Sequence, residues 1–126
     1  MKKVDFKDKW LKTFGKELLQ EEKNYNYLWE VFFLKSKSKF LCGIEATKEF
    51  SKVDRSNAIS IEMWFEEETN EYDKKLYDAI IFSQDEDEGS LSEVFIVSKD
   101  WSWTYVCSHE DDDAENGPFF MYNENI

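Results

Sequence analysis

If this chain does chemistry, the first place to look is Cys107, His109 and Glu110, which stand almost side by side. On a strand, Cys107 and His109 project from one face, and a Cys/His pair is a known nucleophile–base combination. Their attachment points would be about 7 Å apart, however, and no third group is placed to orient the imidazole. His109 is the only histidine. A protein zinc site usually takes at least three side chains, and there is no second His and no close pair of Cys to complete one. Glu110, Asp111, Asp112 and Asp113 follow directly. Such carboxylates favour the imidazolium form, and a contact that responds to pH is the chemistry this neighbourhood allows.

Asp85-Glu86-Asp87-Glu88-Gly89 invites a calcium reading, because hard cations take several oxygen ligands. Counted from Asp85, Gly89 is fifth and the twelfth residue is Ile96, whereas an EF-hand loop needs Gly sixth and Glu twelfth. The stretch is read as a solvated acidic loop. With 28 Asp and Glu in 126 residues, pairs of carboxylates arise by density alone and carry no message about acid–base catalysis. Neither a Gly-rich phosphate loop nor a Gly-x-Ser-x-Gly elbow is present. No metal and no cofactor are expected.

Charge distribution is more informative. The net charge is −12, divided as +4 over residues 1–60 and −16 over residues 61–126. A phosphate backbone is repelled by the second part, so no nucleic-acid partner is expected. A basic protein would be attracted and steered by it. The acidic residues gather in 66–73, 85–88 and 110–115. If folding unites two of these stretches, the surface has the charge footprint of immunity proteins that neutralise basic toxins. That analogy is one of charge only. The expected contact residues are Asp85, Asp87, His109, Glu110 and Asp111 to Asp113. Trp101 joins them if it is exposed at a turn, since Trp is a frequent hot-spot residue; the competing reading folds Trp101 back onto the sheet. An alternative function is a small enzyme with a cleft centred on His109 and Glu110. Head-to-tail pairing of the two oppositely charged parts would give a salt-sensitive homodimer in place of a monomer.

The elements that must position these groups follow from periodicity. Phe6, Trp10, Phe14 and Leu18 recur every four residues and predict an amphipathic helix over 5–23, with Asp5 as N-cap. Residues 27–34 are apolar on both faces and read as a central strand. Leu41 and Cys42 lie in a short apolar segment, and residues 44–52 read as a helix burying Ile44 and Phe50. Residues 58–65 alternate, with Ile59, Ile61, Met63 and Phe65 on the core side. Asn70 is read as the cap of a short helix carrying Tyr72, Leu76 and Ala79, and 80–82 as a short strand. Residues 93–98 and 102–109 form a hairpin around Lys99-Asp100-Trp101. A last edge strand is expected at Phe119 to Tyr122.

The sum is a single domain over 1–126. It is an α+β fold: a mostly antiparallel sheet of about five strands, with about three helices covering at least one face. Aromatic residues make up 17% of the chain, ample for a core without disulfides. Cys42 and Cys107 are read as buried thiols. No stretch approaches the roughly 20 apolar residues of a membrane span, so no membrane partner is expected. The start resembles a signal n-region for only three residues before Asp5 interrupts it. The expected location is the cytoplasm.

The C-terminal third carries Val94-Phe95-Ile96-Val97-Ser98-Lys99-Asp100, then Trp103-Thr104-Tyr105-Val106, His109-Glu110 and Gly117-Pro118-Phe119-Phe120. These resemble the uncharacterised bacterial family known as domain of unknown function 4275. Leu28-Trp29-Glu30-Val31-Phe32 and residues 43–50 fit its first half more loosely. This chain has Ser108 where the family has Thr, Phe119 where it has Tyr, and a longer acidic spacer over 111–116. The resemblance implies a small bacterial α+β protein, with His109 and Glu110 as a structural or binding pair, and implies no mechanism.

Overall fold

Strands β4 (Val94–Ser98) and β5 (Trp103–Cys107) form the centre of the sheet. Both consist largely of β-branched and aromatic residues, which suit a pleated surface packed on both sides, and every residue in them is buried. The structure is a computed structural model that describes residues 1–20, 25–83, 92–108 and 117–124. Among the described residues the sheet has six strands, ordered β1–β6–β5–β4–β2–β3, and every pairing is antiparallel. The others are β1 (Leu41–Cys42), β2 (Ala58–Glu62), β3 (Asn70–Glu71) and β6 (Phe119–Tyr122).

Helices cover both faces, giving three layers. On one face, Phe95, Val97, Val106, Phe119 and Met121 meet Phe6, Trp10 and Phe14 of helix α1 (Lys3–Phe14). Leu18 of α2 (Lys16–Gln20) and the 3₁₀ helix Leu28–Phe33 complete that layer. On the other face, Ile96, Trp103, Tyr105 and Phe120 meet Phe50 of α3 (Ile44–Phe50), with Tyr77 and Ile81 of α4 (Lys74–Ile81) packed against them. No helix among the described residues is long and apolar enough to cross a membrane.

The structure corrects several expectations. The first helix breaks at Gly15, whose N–H still reaches the Leu11 carbonyl (2.9 Å). Asp5 lies inside the first turn and does not cap it. A Cβ on Gly15 would stand 3.0 Å from both Leu11 Cδ2 and Trp10 Cζ3. Gly15→Ala is therefore expected to cost about 1 kcal/mol through overpacking, read from the denaturant midpoint. Residues 28–33 are helical, not a strand. Leu28, Trp29, Val31 and Phe32 are buried while Phe33 is exposed, a helical spacing. Glu30 fixes the start by accepting from the backbone N–H groups of Asn26 (2.7 Å) and Tyr27 (2.6 Å).

Residues 80–82 finish α4 and do not form a strand. The carboxylate of Asp73 caps that helix by accepting from Leu76 N–H (3.0 Å), while Asn70 belongs to β3. Ile44 is 74% exposed, and α3 instead buries Ala46 and Phe50. β6 is not an edge, because β1 pairs on its outer side. Cys107 is buried and Cys42 half-buried.

Candidate functional site

The register gathers several chain ends at one end of the sheet. Glu62, the last residue of β2, pairs with Val94, the first of β4, and Val94 pairs with Cys107, the last of β5. Beside them, Val106 pairs with Phe119, the first of β6. Ser92 and Glu93, Ser108, and Gly117 therefore lie at this end. They are the points from which 84–91 and 109–116 continue. The described residues carry 17 carboxylates against 15 Lys and Arg, so most of the excess negative charge belongs to those two segments.

The same end carries the turn that follows β2. Alternation in the sequence continues to Phe65, but the strand stops at Glu62, whose carbonyl accepts from the N–H groups of Phe65 (3.2 Å) and Glu66 (2.9 Å). The Glu66 carboxylate bonds back to Glu62 N–H (2.9 Å). This turn pushes Trp64 and Phe65 outward, 54% and 73% exposed. Phe65 is thus a surface residue, contrary to the core placement its parity predicts. Two adjacent exposed aromatics flanked by Glu62, Glu66, Glu67 and Glu68 form the most conspicuous feature among the described residues.

The turn is braced from both sides. Lys3 of α1 donates from its ammonium to the Met63 carbonyl (2.9 Å) and to Glu67 (3.2 Å), and its N–H bonds to the Glu67 carbonyl (2.7 Å). Ser92 donates to the Glu62 carboxylate (2.8 Å). On the α4 side, burial and then the carboxylates of Glu66, Glu62 and Asp73 push the Tyr77 phenol up. The chain start thus neutralises part of this acidic turn, and Lys99 pairs with Glu71 (2.7 Å) beyond it.

Of the residues singled out in the sequence, Trp101 is at the far end of β4, about 16 Å away for a strand of this length. It is 8% exposed and packs its ring near Phe6 and Phe14 (centroids 5.6 and 6.3 Å). Trp101 donates its N–H to Ser98 carbonyl (2.9 Å) and adopts φ 60, a left-handed position within the four-residue loop 99–102 of the hairpin. The hot-spot reading of Trp101 is overturned, and the fold-back reading holds. Asp85, Asp87, His109, Glu110, Asp111, Asp112 and Asp113 lie outside the described residues. Cys107 is 3% exposed and belongs to the core cluster with Trp103, Tyr105 and Phe120.

A second polar cluster ties α3 to α4. The guanidinium of Arg55 donates to both oxygens of Asp78 (3.0 and 2.8 Å), and Tyr72 hydroxyl donates to the same carboxylate (2.7 Å). Its third nitrogen caps carbonyls at the end of α3. All these groups satisfy one another, and the arrangement reads as a clasp. Among the described residues, no group of three or more His, Cys, Asp or Glu is placed to hold a metal ion. Comparison with protein families, with curated proteins and with solved structures finds no match.

Proposed function

We propose that the chain is a non-enzymatic acidic binding module for a basic protein, immunity-like in its charge. The observation that carries this reading is the exposed Trp64–Phe65 pair, set among four glutamates at the sheet end where the most acidic segments are attached. Aromatic anchors supply binding energy on truncation-sensitive surfaces, and the surrounding charge supplies steering and selects against acidic partners. Glu67 is partly neutralised by Lys3, so the turn contributes mainly apolar contact, while the long-range field comes from the −16 of residues 61–126.

The test is capture of partners by the immobilised chain, with recovered proteins identified and their charge compared. Basic proteins are expected at low salt and release as salt rises. Trp64→Ala is expected to weaken the purified complex by about 2 kcal/mol, roughly thirtyfold in Kd, and Phe65→Ser to weaken it as well. Recovery of no partner at low salt, or equal affinity in the Trp64→Ala/Phe65→Ser variant, would refute the reading.

A further inference from the structure

A row of aromatic rings runs along the acidic end of the sheet, on the α1 side. Trp64 starts it and shares a cavity of about 200 Å³ with Tyr25 and Tyr27. Tyr27 stacks on Trp29 (centroids 5.3 Å, planes 9° apart), Trp29 meets Phe33 edge-on (5.6 Å), and Phe33 reaches Phe119 (6.4 Å). Trp29 is buried and links its neighbours, whereas Trp64, Tyr25 and Phe33 are 54%, 38% and 55% exposed. Trp64 follows β2 and Phe119 begins β6, so the row crosses three strand spacings, about 14 Å.

We propose that this row is the apolar half of the binding face and receives one amphipathic basic helix of the partner, an inference that rests on the binding reading above. Single exposed rings are ordinary on a protein surface, but these are contiguous with the Trp64–Phe65 pair. A helix rises 1.5 Å per residue, so about ten residues, with apolar side chains three and four apart, lie along 14 Å. Charge sets which way that helix faces. On the α1 side of the row, Lys7 is exposed, while Lys3 is held by Glu67 and the Met63 carbonyl. Past Phe33, the Lys35 side chain is only 3% exposed and donates to both oxygens of Glu17 (2.8 Å each), which neutralises it. On the sheet-end side, 84–91 and 109–116 continue the chain with four and five carboxylates. The cations of the helix therefore turn away from α1 and toward these segments.

Calorimetric titration of the full chain at low salt with two leucine–lysine peptides of equal length and composition tests the proposal. One carries its leucines at helical spacing and the other is scrambled, so charge alone does not tell them apart. The amphipathic peptide is expected to bind about tenfold more tightly. Phe33→Ser and Tyr25→Ser each change an exposed position, and each is expected to lower that preference by about threefold. Leu76→Ser, an exposed position of α4 on the opposite face of the sheet, is expected to leave it unchanged. Near-UV circular dichroism checks the fold of each variant, and Tyr25→Ser decides alone if Phe33→Ser does not fold. Equal affinity for the two peptides, a preference untouched by Phe33→Ser and Tyr25→Ser, or one lowered as much by Leu76→Ser overturns the helix seat and leaves the acidic face standing. Failure of both peptides to bind also overturns the seat, and the binding reading falls with it only if capture recovers no basic protein.

Discussion

An Asp78→Ala variant is expected to lose about 2–3 kcal/mol of stability, because it strands a guanidinium that the fold has largely removed from water. The Arg55 and Asp78 side chains are 12% and 20% exposed, so solvent screens this pair less than a surface ion pair. Arg55 also lies over the rings of Phe50 and Phe82 (5.4 and 4.8 Å), which fixes the plane of its fork. Burial alone would push the Asp78 carboxyl up, but hydrogen bonds from Arg55 and Tyr72 outweigh it and hold the carboxyl below its ordinary value. A depressed folded-state value means the stabilisation is fully present above the unfolded value near pH 4. It is lost as pH falls through the lower folded value. Tyr72 behaves oppositely. Burial first, then Asp78, push its phenol up, so its contribution holds below about pH 10 and fades above. Urea midpoints from pH 7 to pH 3 check this. The gap between parent and Asp78→Asn should shrink toward acid, and a constant gap would contradict the assignment.

The hairpin of β4 and β5 was legible because its alternation, its apolar content and its short polar loop all agree. Trp101 shows the limit of that reading. A turn position implies exposure, but Phe6 and Phe14 come from residues far away in sequence, and only packing brings them over the indole. Residues 28–33 misled for a different reason. A run apolar on every side fits a buried strand or a buried helix equally, and the deciding signal was Glu30, a polar residue placed to cap the N–H groups before it. The site itself was half legible. The acidic stretch at 66–73 was visible, but alternation carried straight through Glu62 and hid the end of the strand. What marked the turn was the abrupt run of glutamates after Phe65, since a strand buried on both faces does not continue into consecutive charges. The gathering of Ser92, Ser108 and Gly117 at one end depends on strand order, which no local pattern reveals.

Trp10→Ala is expected to have the largest effect of any single change considered, about 4 kcal/mol, lowering Tm by roughly 15 °C. Trp10 is wholly buried and its ring lies near Phe14 (5.9 Å), Phe32 (6.1 Å) and Phe95 (5.1 Å), so one side chain joins α1 to residues 28–33 and to β4. Its indole N–H donates to Thr104 Oγ1 (3.1 Å), and the Thr104 hydroxyl in turn donates to the Ile96 carbonyl (2.9 Å). Trp10→Phe keeps most of the packing and leaves Thr104 with a partner, so it should cost only about 1–2 kcal/mol. The difference reaches the binding face, because Trp10 anchors the helix whose Lys3 braces the Met63–Glu67 turn. Trp10→Phe should therefore bind a basic partner as the parent does. In Trp10→Ala, hydrogen exchange at Thr69, whose N–H is held by the Met1 carbonyl (2.8 Å), should accelerate at temperatures where the sheet remains folded. Unchanged exchange there would mean that the turn holds Trp64 and Phe65 in place without help from α1.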